Sequence, residues 1–394
     1  MTRSVLRPLL AVLRYGLCVV ALVFLYNAVT WHDRIVLADG TTRVRLIESR
    51  DDGFVVLRDG AEQLLARDQI RLVPPGDLPD IQYGLSTVLR RADFRAALWA
   101  LLLFLPIPLI QSLRLVWMLA IQRVNLSYWN AVKLSFAGNF FNFALPGTTG
   151  GDLIKAYYIT LYTHQKHEAV TTVFLDRVVG LLGVITVASL SLLYAGARVP
   201  WDPTTARMVS TALPAIWLGL AVAGVFVLAP RLRQALRLRA LAARLPAGEH
   251  LLRIGGAVVA LGRRWPIFVA ACLNTVVLQF LLVCCALQMA RALHMRGDAE
   301  LYFICIPAGF LIAAIPISPP QAIGVLEWAY IQFFTTGGLN DASQALALAL
   351  AIRLIQLFWA LPGVLVPLLG AHLPDRKALQ TLEQDAGPAT PETG

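Results

Sequence analysis

Charge is scarce in this sequence. Only 15% of its 394 residues are Asp, Glu, Lys or Arg, while 57% are hydrophobic and the mean hydropathy is +0.65. Soluble domains carry about 25% charged and about 45–50% apolar residues, so the two or three soluble domains that the length alone would suggest are excluded. Disorder is excluded as well, because it requires weak hydrophobicity with high net charge. Cysteine is scarce too. Cys18, Cys272, Cys284, Cys285 and Cys305 all lie in apolar runs, with neither a disulfide framework nor metal-ligand spacing. His164 and His167 share a polar loop with Lys166, and two histidines alone do not define a metal site. There is no G-x-x-x-x-G-K-[ST] loop to cradle a nucleotide, so neither metal nor cofactor is expected.

What is present is a set of long apolar runs. A spanning helix needs about 20 mostly apolar residues. The first candidate, about 9–30, follows Arg3 and Arg7 and contains Arg14. It resembles a signal peptide, but no small-residue cleavage site follows, so residues 1–30 are taken as an uncleaved first span with a cytoplasmic N-terminus. Further full spans are expected at about 97–119, 169–195, 209–229, 266–289 and 344–370. The net charge of +10 is not spread as in a nucleic-acid binder. Much of it falls in 230–264, where eight Arg stand against Glu249 alone. Alternation from the first span places that loop in the cytoplasm, as its arginines require, and the tail 371–394 there as well. The segment PRLRQALRLRALAARL within the loop approximates an amphipathic helix suited to an anionic leaflet, or simply carries the positive-inside bias.

Residues 31–95 are polar and mixed in charge. Short β-type runs at Ile35–Leu37, Arg43–Ile47, Phe54–Leu57 and Ile70–Val73 are separated by Asp39-Gly40, Asp52-Gly53 and Asp59-Gly60. Asp-Gly between such runs signals hairpins, and a small extracytoplasmic antiparallel β-domain follows, a structural or partner-binding module.

Two apolar stretches, 130–160 and 300–337, are interrupted by Pro and Gly, and each half is too short to span. Broken or re-entrant hairpins fit better. The stretches align: Pro146, Gly150-Gly151 and Asp152 in the first, Pro320, Gly324 and Glu327 in the second. Arg177 lies 25 residues after Asp152, and Arg353 lies 26 after Glu327, each on the next full span. The fold class is therefore an all-α polytopic bundle of about six full spans plus two broken hairpins, with a β insert. Its domain 96–370 is an inverted repeat of units 97–195 and 266–370, joined by span 209–229 and loop 230–264. Inverted repeats with broken helices point to a transporter-like site between the halves.

Arginine near the bilayer centre is costly and needs a partner. The matched spacing pairs Asp152 with Arg177, and Glu327 with Arg353, on opposite sides of a shared cavity, where an anionic headgroup could compete for the arginines. Asp152 is also a candidate N-cap, with its glycines serving only the turn in that reading. Asn139 and Asn142 share one helix face and either bind a headgroup or tie two helices together. Lys155 is read as an interfacial or headgroup-facing charge, and Tyr157 and Tyr158 as part of an aromatic belt. Asp176 stands beside Arg177. Arg114, near the inner end of its span, contacts lipid phosphate or anchors the helix.

FAGNFFNFALPGTTGGDLIKAYYI, FLDRVVGLLG, PISPPQAIGVLEWAY and AIRLIQLFWALPG, in that order, resemble the transmembrane region of lysylphosphatidylglycerol synthetases and their flippase-like stand-alone relatives. The resemblance covers about 95–370 and implies translocation of a phospholipid or lipid-linked precursor between leaflets of the cytoplasmic membrane. The 24 residues after 370 leave no room for a synthetase domain, so no aminoacyl transfer, and no enzyme, is expected. Ser318-Pro319-Pro320-Gln321 departs from the smaller, Gly-rich turn common in such relatives, which leaves the lipid open. The alternatives are a non-transporting envelope partner acting through 31–95, and a membrane-embedded lipid transferase using Asp152 or Glu327 as base.

Overall fold

The computed structural model describes residues 31–50, 53–58, 60–73, 78–144, 150–196, 264–313 and 322–368, with short pieces within 23–27 and 207–222. Most of the expected span 9–30, about half of 209–229, nearly all of loop 230–264, the tail 371–394, and the turns holding Pro146 and Pro320 lie outside the described residues.

The polar segment folds as expected of alternating β-type runs. A five-stranded antiparallel sheet forms from β1 (Arg34–Val36), β2 (Arg43–Arg50), β3 (Gly53–Arg58), β4 (Ala61–Leu65) and β7 (Ile81–Gln82), in the order β4-β3-β2-β1-β7. β5 (Leu72–Val73) and β6 (Leu78–Pro79) pair separately. Ile35, Val44, Phe54, Val56 and Leu65 alternate onto one face and bury each other. The Asp39-Gly40 turn is built as its chemistry requires. Gly40 takes φ +70°, and Asp39 accepts from the backbone N–H groups of Thr41 and Thr42 and from the Thr42 hydroxyl. Those bonds hold the Asp39 carboxyl down at about 2. β4 and β7 are absent from the sequence reading because AEQLL and IQ carry no alternating apolar signal; pairing with β3 and β1 defines them.

After the sheet come α1 (Leu85–Arg90), α2 (Phe94–Phe104), α3 (Pro106–Ile121), α4 (Tyr128–Ala144), α5 (Gly150–Thr160) and α6 (Lys166–Ala195). A second series follows: α7 (Trp265–Ala292), α8 (Ala299–Ala313), α9 (Val325–Thr335) and α10 (Ala342–Ala360). Among the described residues four segments are long and apolar enough to cross a bilayer: Phe94–Ile121, Lys166–Tyr194, Trp265–Ala292 and Ala342–Pro367. They coincide with four expected spans. The first is jointed at Leu105, where Pro106 opens α3 as an N-terminal proline. Large apolar side chains such as Trp99, Leu193, Leu273 and Leu354 stay exposed on these helices, as a hydrocarbon surround permits.

The interrupted stretches form two hairpins. α4 and α5 have 17 and 11 residues, and α8 and α9 have 15 and 11. At 1.5 Å per residue the arms measure roughly 16–26 Å, short of a ~30 Å hydrocarbon core. The arms run antiparallel. Tyr302 stacks on Phe334 near one end of the second hairpin, and the Tyr330 hydroxyl donates to the Ile306 carbonyl. Glycine allows the close approach in both: a Cβ on Gly151 would lie 1.9 Å from the Gly138 carbonyl oxygen, and one on Gly309 would lie 2.1 Å from the Tyr330 ring.

The first spans of the two series run antiparallel against each other. Asp93 N donates to the Ala292 carbonyl, the Cys285 thiol to that of Ala100, Arg114 to the Thr275 hydroxyl, and Arg264 to the Ala120 carbonyl. The remaining contacts are reciprocal: α8 packs on α6, while α4 packs on α10 and the turn Leu361–Val364 that follows it.

The sheet is tied to the helices through Asp33 and Tyr83. Asp33 accepts from Gly84 N at 2.7 Å, and Asp341, the N-cap of α10, accepts from the Tyr83 backbone. Burial, with Asp80 nearby adding repulsion, pushes the Asp341 carboxyl from its ordinary 3.8 up to about 6. Folding thus favours the protonated acid. This contribution to stability is complete below pH 3.8 and is lost as the pH rises through about 6. Melting temperatures in detergent should fall across that interval, and Asp341→Asn should flatten the slope. A second expectation concerns the hairpins: Gly151→Ala and Gly309→Ala should each cost at least about 1–3 kcal/mol in thermal unfolding. Gly219→Ala, where a Cβ meets nothing within 4 Å, should be neutral.

Candidate functional site

Both ion pairs read from the spacing form. Arg177 Nη1 lies 3.0 Å from Asp152 Oδ2. Arg353 places Nη2 at 2.7 Å and Nε at 2.9 Å from Glu327 Oε1. The two carboxylates occupy the same place in their helices, the third residue after the break, and the two arginines are each the twelfth residue of the following helix. A carboxylate in the first turn also meets the positive end of the helix dipole. Glu327 is further fixed by its Oε2, which accepts from Gly324 N at 2.7 Å, and Gly324 takes φ +85° to present that group.

Four assignments change. Asp152 is not an N-cap; it sits inside the first turn of α5 and pairs forward to α6. Lys155 is no interfacial charge. Its side chain is 3% exposed, packs against Gly138, and brings Nζ to 4.0 Å from Asp152 Oδ1. Tyr158 is buried in the core around α3–α6 and so leaves the aromatic belt, while Tyr157 packs partly buried against that core. Arg114 is neither an anchor nor free at a helix end. It is buried on α3, with Nε 2.7 Å from Asp176 Oδ1 and Nη1 2.9 Å from Thr275 Oγ1. The sequence reading failed here because depth along a helix does not say which neighbour covers it.

A cavity of about 330 Å³ lies between α3, α6 and α7, with Asn142 and Asp152 from the first hairpin on its wall. Arg114, Asp176, Arg177 and Asp152 all line it, so two arginines face two carboxylates across one small space. Asn142 also accepts from Gly151 N at 3.0 Å and so ties α4 to α5. Asn139 is half-buried on α4, and Gly150 and Gly151 open α5. Gln111 and Gln279, which the sequence reading passed over, line the cavity. They were visible as polar residues within apolar spans. Gln279 Oε1 is buried there without a hydrogen-bond donor among the described residues.

Glu327 and Arg353 are not on the wall of this cavity. The two series differ chemically as well. Ile352 precedes Arg353 where Asp176 precedes Arg177, and Tyr330 stands three residues after Glu327 where Lys155 follows Asp152. Cys285 holds the place in its 28-residue span that Arg114 holds in the other.

Four membrane-length helices, two short-armed hairpins, and carboxylate–arginine pairs that are buried or partly buried define a polytopic membrane protein with an internal charged site. The family described as the lysylphosphatidylglycerol synthase TM region matches residues 84–363, most of the chain, and the chain belongs to that family. A comparison with curated proteins gives no match.

Glu327→Gln keeps the bond to Gly324 yet leaves Arg353 facing a neutral amide. It should destabilise the protein by about 3–5 kcal/mol, read as a lower melting temperature. Exchanging the pair, Glu327→Arg with Arg353→Glu, should recover part of that loss; the cap on Gly324 stays lost.

Proposed function

We propose that this protein translocates a phospholipid or lipid-linked precursor between membrane leaflets, with its headgroup in the cavity and its acyl chains in the bilayer. The observation that carries this is the placement of Arg177, paired with Asp152 and 31% exposed, on the wall of a cavity that also holds Arg114 and Asp176. Guanidinium forks suit phosphate bidentately. The Gln279 carbonyl oxygen offers an acceptor to a headgroup hydroxyl or amine.

In this reading the two series are an inverted repeat. The antiparallel contact between Phe94–Ile121 and Trp265–Ala292 supports it, as does the reciprocal packing of α8 on α6 and α4 on α10. Each hairpin then re-enters from a different face, and the cavity sits where the first series meets α7 of the second. The termini and the basic loop face the cytoplasm, the sheet faces outward, and transport is downhill or ion-coupled, without chemical change to the lipid.

The test is reconstitution of the purified chain into vesicles carrying fluorescent phosphatidylglycerol. Lipid should cross faster than in protein-free vesicles, and Arg177→Ala should slow it at least about tenfold, the loss of one charged contact. No movement of any phospholipid probe counts against the reading, and a lipid of altered mass would favour a transferase. A second reading makes the sheet a docking module for an envelope partner, since β4 lies at its edge with most side chains exposed. Removal of the sheet would then abolish function while Arg177→Ala would not.

A further inference from the structure

We propose that Lys155 is a reserve counter-ion, which takes over Asp152 when an anionic phosphate group claims Arg177. Binding at the cavity is then an exchange of partners, and no charge is left stranded. The proposal rests on the translocation reading above.

The geometry gives Asp152 two cations on its two oxygens. Oδ2 meets Arg177 at 3.0 Å, and Oδ1 faces Lys155 at 4.0 Å, the looser of the two contacts. The cations differ in freedom. The Arg177 side chain keeps 31% exposure and lines the cavity, whereas Lys155 is enclosed between α5 and Gly138 of α4 and does not line it. A phosphate entering the cavity therefore reaches Arg177 and not Lys155. When Arg177 turns to the phosphate, Asp152, a partly buried carboxylate 17% exposed, loses its close partner inside the protein, which is costly in proportion to that burial. Lys155 stands one helical turn away on the same face, so a rotation of the Asp152 side chain suffices to close the pair. The ammonium is itself enclosed and gains from a closer carboxylate.

The second series has the same primary pair without this arrangement. Tyr330 occupies the position of Lys155, and its hydroxyl donates to the Ile306 carbonyl. The second oxygen of Glu327 accepts from Gly324 N. Glu327 is thus held by its own helix end, while Asp152 is free to change partners. Exchange belongs to the first series alone, whose Asp152 and Arg177 line the cavity, while Glu327 and Arg353 do not.

The test uses the full chain in detergent, titrated with short-chain phosphatidylglycerol and, separately, with inorganic phosphate. Lys155→Met should weaken binding of the phospholipid at least about tenfold, and Lys155→Arg should stay within about threefold of the parent. The double variant Asp152→Asn with Lys155→Met should regain nearly the parent affinity, because no carboxylate remains to be stranded. A lysine that merely packs against Gly138 predicts no such recovery, so a double variant as weak as Lys155→Met overturns the proposal. Equal binding by Lys155→Met and the parent overturns it too and leaves the translocation reading standing. A parent protein that binds neither probe removes both. The same ranking of variants with inorganic phosphate supports exchange at the phosphoryl group itself. A ranking seen only with the lipid supports exchange with a headgroup held by its chains.

Discussion

An arginine carried into a hydrocarbon layer has to meet a carboxylate, a phosphate or water. Arg114, Arg177 and Arg353 each meet a carboxylate at 3.0 Å or less. Every one of those contacts joins segments distant in the chain: α3 to α6, α5 to α6, and α9 to α10. The hairpin arms are too short to cross a bilayer and have no spanning partner of their own. Their carboxylates tie them to the full-length helices, and glycine at Gly138, Gly151 and Gly309 lets the two arms of each hairpin lie close together. Charge pairing and close backbone packing are therefore one constraint expressed twice.

How much of this was legible depends on whether the information is local. The four long apolar helices and the Asp-Gly turns are short-range patterns and read directly. The Asp152–Arg177 and Glu327–Arg353 pairs are long-range, yet they could be read because the same spacing occurs twice in one chain. Nothing comparable marks Arg114 or Lys155. Arg114 finds Asp176 62 residues away and Thr275 161 residues away, on helices whose proximity only the packed fold decides. Lys155 reads as a surface charge because helix-face periodicity does not reveal that α4 closes over it. β4 was missed for a related reason: its sequence is polar, and its pairing partner makes it a strand.

The cavity gathers most of its polar groups from the first series. Asn142, Gln111 and Gln279 join the two ion pairs there, while the second series offers an isoleucine and a cysteine at the places of Asp176 and Arg114. A neutral balance of two arginines and two carboxylates keeps such a cavity tolerable in a low-dielectric setting while leaving strong donors and acceptors in it.

The likeness of the two series in element order and their unlikeness in side chains have a mechanical consequence. Each series is braced by the other, because the first spans press on each other from Asp93 beside Ala292 to Ala120 beside Arg264. Chemistry is under no such mutual control. The second series keeps Glu327 as an internal rivet and serves as the mould against which the polar residues of the first stay set for work.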